Sequence, residues 1–268
     1  ATTPLLPSVR AAMEPYLNGS FGNGTKNGIH TLYDYWSGLS LVNVRITDVD
    51  WSVWIDGAAN GGNGEYFNAY NSYFHGRVGC YKNTSPSGQA LIHTLTSCIS
   101  QTDNGGTQFW VTSTQLNVFG WSCTQAGGAA ANTFLHLADT LSGKLNFVGG
   151  RCEHVNTLIS WNGGSGAQMG TVNIEGIDFV GMDGVQSFLS GGGTNCNYRF
   201  VIKRCAFGIN TPIAGPLVVA INGGGNEQII FEDCDFAGWG SYTQISANPH
   251  VTLIRCRYID TGSVAHAL

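Results

Sequence analysis

Charge is what this chain has least of. Only 12 Lys+Arg and 17 Asp+Glu occur in 268 residues, 11% of the chain, with a formal net charge of -5; typical domains carry about 25% charged residues. No Lys/Arg cluster exists, which argues against nucleic acid, because neutralising phosphates needs a basic stripe. No apolar run approaches the ~18–20 residues of a membrane span, so no membrane insertion is expected. The opening ATTPLLPSVR lacks a charged-then-apolar secretory pattern. CxxC and CxxH spacings are absent, and His30, His75, His93, His136, His154, His250 and His266 form no HxxxH or HxH pair. GGSGAQMG (163–170) misses the dinucleotide fingerprint by a residue. Neither a metal centre nor a cofactor is therefore expected. Helical periodicity is nearly absent too.

What is present is glycine, 38 residues, at twice the usual ~7%. Hydrophobic residues make up 43% of the chain, including 7 Trp, 10 Tyr and 13 Phe, enough to bury a large core. Short β-branched and aromatic runs alternate with Gly clusters such as Gly105-Gly106, Gly127-Gly128, Gly163-Gly164 and Gly191-Gly192-Gly193. That rhythm predicts many strands and tight turns.

The rhythm is a repeat. VFGWSCTQ (118–125), FVGGRCEH (147–154), IEGIDFVG (174–181), VIKRCAFG (201–208), IFEDCDFA (230–237) and LIRCRYID (253–260) superimpose without gaps. One inward column reads Trp121, Gly150, Ile177, Cys205, Cys234, Cys256; the next reads Cys123, Cys152, Phe179, Phe207, Phe236, Tyr258. Steps in the second column are 29, 27, 28, 29 and 22 residues. This period predicts an all-β fold: a right-handed, single-stranded parallel β-helix, a solenoid of coils about 4.8 Å apart. Residues 41–268 form that domain, with earlier segments read as further coils at shorter intervals. Residues 1–40 read as a cap or attachment segment with a short helix over Ser8 to Leu17. No comparable cap follows Tyr258, so that end is expected to meet another chain or a further domain.

Eight cysteines usually suggest disulfides. In-register parallel neighbours hold their Cβ atoms near 4.8 Å, whereas a disulfide needs about 3.8 Å. Free buried thiols are therefore expected, in keeping with assembly in a reducing cytoplasm.

The register also places outward residues. Asp233 falls between Arg204 and Arg255, and Asp235 beside Arg257, so both read as ladder ion pairs. Asp178 has only Ala206 on the following coil, and Glu175 and Asp183 lie nearby. These three carboxylates are the catalytic candidates, since glycosidic hydrolysis uses a carboxyl pair; a polar, turn-flanking rung is the plainer reading. In DVDWSVWID (48–56) strict alternation turns Val49, Trp51, Val53 and Ile55 inward. Asp48, Asp50, Ser52, Trp54 and Asp56 then face outward. Asp48, Asp50, Trp54 and Asp56 are the ligand-binding candidates, because an indole stacks on sugar C–H faces while carboxylates accept hydroxyl hydrogens. Three acids on one face also suit calcium, and a solvated strand face explains them equally.

The strand–Gly-turn coils and the RCEH, RCAF, DCDF and RCRY column motifs resemble the phage tailspike and pectate-lyase-like right-handed β-helix proteins. The resemblance covers residues 110–260 clearly and 40–110 weakly. It carries no catalytic signature: the Asn-Thr-Asp run, Asp-Asp pair and Gly-His-Gly of polygalacturonases are missing. It implies a homotrimer on a virion surface that binds or cleaves bacterial surface polysaccharide. The leading expectation is a tailspike-like receptor-binding module contacting that polysaccharide and other virion proteins. A polysaccharide depolymerase (glycoside hydrolase or lyase) and a capsid decoration protein are the alternatives.

Overall fold

The computed structural model describes residues 27–31, 35–36, 38–55, 63–64, 66–84, 90–103, 105–112, 114–125, 132–138, 142–162, 168–182, 188–191, 196–208, 219–221, 227–237, 251–259 and 265–267. The expected helix at 8–17 lies outside them, as do Asp56 and Asp183. Among the described residues the chain is a parallel β-solenoid without a helix.

Three sheets wrap the core. The first contains Leu39–Val42, Tyr66–Tyr70 and Ala90–Thr96, then the opening halves of Thr114–Gln125, Ser142–Glu153 and Gln168–Val180. It continues through Cys196–Lys203, Gln228–Glu232 and Val251–Ile254. The second takes the closing halves of those long strands, the opening parts of Arg45–Ile55 and Tyr73–Asn83, and Ile99–Thr102, Ala206–Gly208, Asp235–Ala237 and Arg257–Ile259. The third stacks Ile29–Thr31, the ends of Arg45–Ile55 and Tyr73–Asn83, Thr107–Val111, Thr133–Leu137, Thr157–Trp161, Leu189–Gly191 and Val219–Ile221.

The register matches the repeat read from sequence. Cys123 pairs with Cys152, Cys152 with Phe179, Phe179 with Phe207, Phe207 with Phe236 and Phe236 with Tyr258. The column extends backward through Ser100 and Phe74 to Ile46. The early coils have steps of 28, 26 and 23 residues, so they are not uniformly shorter than the later ones.

One corner explains the pattern. Between the first and second sheets every coil turns on a single left-handed residue: Asn43, Asn71, Ser97, Gly120, Gly149, Gly176, Arg204, Asp233 and Arg255, with φ between 46° and 69°. Gly and Asn suit this conformation; arginine does so at a cost of about 1 kcal/mol or more. The next residue points inward, where a small donor reaches the carbonyl two positions back. Ser72 Oγ donates to the Tyr70 carbonyl at 2.9 Å, and the thiols of Cys98, Cys205, Cys234 and Cys256 make the equivalent contact at 3.3–3.5 Å. Cysteine recurs because it is small, apolar and a weak donor.

All seven cysteines whose side chains are described are free and buried. Burial pushes the Cys80 thiol up to about 12 and raises Cys98. Such thiols are inert. At the far end, Ala265–Ala267 runs antiparallel to Arg257–Ile259, pairing His266 with Tyr258. The second sheet's last rung is thus covered by the chain's own backbone, which corrects the expectation of an uncapped end there.

Candidate functional site

The outer faces of the second and third sheets hold the residues singled out above. On the third, one row runs His30–Trp54–Lys82–Trp110–His136–Ser160. Trp54 is half-buried in it. Its indole stacks on His30 at 4.3 Å, takes the Lys82 ammonium 3.8 Å over the ring, and donates from Nε1 to Thr84 Oγ1 at 2.7 Å. Trp110 packs against His136 with ring centroids 3.9 Å apart. His136 Nδ1 lies 2.8 Å from Ser160 Oγ.

Strict alternation fails in Arg45–Ile55. The register shifts between Ile46 and Val49 and again between Val49 and Trp51, and Asp48 takes a φ of 61°. Extra residues of this kind are bulges that re-aim everything after them. Ser52, expected outside, is therefore fully buried. Trp51, expected in the core, folds over Gly79 against Lys82 and Trp110 instead. The bulge also separates the ligand-binding candidates. Asp48 stands on the second sheet, 3.9 Å from His75 Nδ1, while His75 Nε2 meets Asp103 at 3.1 Å. Asp50 is half-buried at the bulge.

On the second sheet the outer row runs Ser122–Arg151–Asp178–Ala206–Asp235–Arg257. Asp178 has Arg151 on the preceding coil, a neighbour the forward-looking register had missed. Arg151 Nη2 turns instead to Glu153 at 3.0 Å, and Thr124 Oγ1 donates to the same carboxylate at 2.9 Å. Among the described residues Asp178 forms no ion pair, and it is exposed. Asp235 is held bidentately by Arg257, one contact being Nε to Oδ1 at 2.6 Å.

Small residues lie between these two carboxylates. Ala206, Gly208 and Ala237 floor an open hollow of about 320 Å³, walled by Arg151, Asp178 and Asp235. Asp178 and Asp235 stand two rungs apart, roughly 10 Å at the ~4.8 Å interstrand spacing. The site offers one carboxylate outside any ion pair, one fixed carboxylate and an apolar floor.

Glu175 lies across the left-handed corner on the first sheet, where Arg204 bonds it. Asp233 accepts two bonds from Arg255 at 2.7 and 2.9 Å. Arg204 was expected to flank Asp233 and bonds Glu175 instead, because its side chain leaves the corner toward the preceding coil. Glu232 joins the network through Lys203 at 2.6 Å and Arg255 at 2.8 Å. Lys203 and then Arg255 hold the Glu232 carboxyl below its usual range, and Arg255 does the same for Asp233.

No family model, curated protein or solved structure matches this chain.

Proposed function

We infer that the chain is a glycan-recognition module of the tailspike kind, carried at a virion surface as a homotrimer and binding bacterial surface polysaccharide. The observation that carries this reading is the hollow between Asp178 and Asp235. Its volume lies at the lower end of the ~300–1,000 Å³ range of small-molecule sites. An apolar floor with carboxylates at both ends suits a sugar ring, which presents C–H groups on its faces and hydroxyl donors around its rim. The Trp54–Lys82–Trp110–His136 row adds an amphipathic strip on the neighbouring sheet for a longer chain. Trp54 has its faces taken by His30 and Lys82, so the strip offers ring edges and polar tips.

Hydrolysis is the second reading, favoured by the two facing carboxylates. Inverting enzymes separate theirs by about 6.5–9.5 Å, and one carboxyl must be kept protonated by its surroundings. Asp178 is exposed and Asp235 is ion-paired, so binding without cleavage is the stronger reading.

Titrating purified protein against a panel of capsular and O-antigen polysaccharides tests both. Ala206→Trp, which fills the hollow, should weaken binding roughly tenfold or more with an unchanged far-UV spectrum, about 1.4 kcal/mol or above. Binding that survives this change removes the hollow from the function. New reducing ends during incubation would establish cleavage.

A further inference from the structure

The first sheet's outer face is built differently from the other two. Eight large hydrophobic side chains are exposed among the described residues, and six of them lie here: Val42, Tyr66, Tyr70, Ile92, Phe119 and Val148, each 37–57% exposed. They follow from alternation. Leu41, Ala69, Leu95, Val118 and Phe147 fill the core in one column, and the next residue of each strand points outward. The outward row so formed reads Val42–Tyr70–Thr96–Phe119–Val148.

Between the apolar positions runs a polar row, Ser40–Asn68–Thr94–Asn117–Asn146–Asn173. Its last three amides hydrogen-bond to one another, Asn146 to Asn117 at 2.7 Å and Asn173 to Asn146 at 2.8 Å. That ladder holds the face flat. From Ser40 to Phe119 no described outward residue of this sheet is charged. Exposed sheets that must stay single normally carry charges against association. Beyond Val148 the same apolar row becomes Glu175, Lys203 and Glu232, each already closed by an ion pair.

We propose that this face is where copies of the chain meet, side by side with solenoid axes parallel. The gradient along the axis selects the direction. In a parallel arrangement the apolar rungs face apolar rungs, and each charged rung brings its own counter-ion. An antiparallel arrangement would bury Val42 and Tyr70 against the partner's Glu232 and Lys203, which costs desolvation without a new partner. Five rungs of about 4.8 Å by a strand of about 17 Å give roughly 400 Å². A standard interface needs about 800 Å² per partner, so the contact must continue along the asparagine ladder. This assignment names a surface for the homo-oligomer and is independent of the hollow on the second sheet. It replaces end-to-end contact with lateral contact.

Sedimentation velocity of the full chain at micromolar concentration tests it. The wild type should sediment as more than one copy. Tyr70→Arg combined with Phe119→Arg should return a single copy with the far-UV spectrum unchanged. Tyr73→Arg, on the second sheet, should leave the oligomer intact. Direction is read from Thr94→Cys and Asn173→Cys made separately, both on the central row: under mild oxidation each should cross-link to itself. A wild-type monomer, an oligomer that survives the double arginine change, or self-cross-linking at only one cysteine would overturn the proposal. The cysteine variants decide the matter even where the arginine variant fails to fold.

Discussion

The two halves of the solenoid share one backbone path but fill it with different chemistry. From Phe179 onward the interior is a ring ladder. Phe207 stacks on Phe179 at 5.2 Å and on Phe236 at 5.3 Å, with Phe188 edge-on at 5.0 Å. The earlier interior is polar in places. Tyr81 hydrogen-bonds His93 in full burial, Ser100 donates to Gln108 at 2.6 Å, and Gln108 donates to Thr102 at 3.3 Å. Nearby, Thr112 bonds Asn83, and Asn156 accepts from the Asn132 backbone. A stacked coil can therefore be held by area or by mutual satisfaction of buried polar groups. The two schemes fail differently: a ring ladder loses contacts gradually, whereas a polar cluster with one member removed leaves a buried group unpaired.

The strongest way to test the contrast is Phe207→Ala. It removes the centre of the ladder and leaves a cavity with rings on several sides, so it should cost about 3–5 kcal/mol. A shift in the denaturation midpoint at constant slope measures it; under 1 kcal/mol would mean the ladder is not what holds the later coils. Tyr81→Phe is the polar counterpart. It conserves volume but takes the hydroxyl from His93 Nδ1, so a loss of about 1–3 kcal/mol is expected. If it proves neutral, the early interior is held by packing after all.

The same contrast explains what could be read from sequence. The later coils place Cys, Phe and charged residues at steps of 27–29 without an internal gap, so register, ladder ion pairs and free thiols followed directly. The early coils conceal theirs. Ser52 and Gln108 are inward yet polar, and the bulge at Asp48 reverses the alternation that seemed to face Trp51 into the core. The third-sheet row was also missed, although Trp54, Lys82, Trp110 and His136 recur at 28, 28 and 26 residues; their chemistry differs at each step. Arg151 needed only the register to be read backward from Asp178. The hollow is the least legible feature, since it arises from what Ala206, Gly208 and Ala237 lack.

The corner residues refine the comparison on a smaller scale. Gly176 sits at φ 64° with nothing within 4 Å of where a Cβ would be. Gly176→Ala therefore isolates the left-handed penalty, expected at about 1 kcal/mol. Arg204→Gly relieves that penalty but gives up the Glu175 pair and adds unfolded-state entropy, so its net change should stay within about 0.5 kcal/mol. A thermal scan of both variants measures the difference. Equal losses would show that the pair, and not the backbone, sets the residue at this corner.

The smallest effect belongs to the charged rungs of the later coils. Lys203 and Arg255 hold Glu232 and Asp233 below their ordinary values of 4.5 and 3.8. A carboxylate whose folded-state pKa is depressed stabilises the fold above its unfolded value, and that contribution disappears as pH falls through the folded one. Midpoints should thus hold steady from neutral pH to about pH 5 and drift down below it. These side chains face solvent, so the drift should be slight and shrink further in high salt. Arg255→Gln should flatten it by removing the cation that Glu232 and Asp233 share. If the acid drift keeps its full size in that variant, it arises from carboxylates elsewhere, and these outer pairs order the corner without stabilising it.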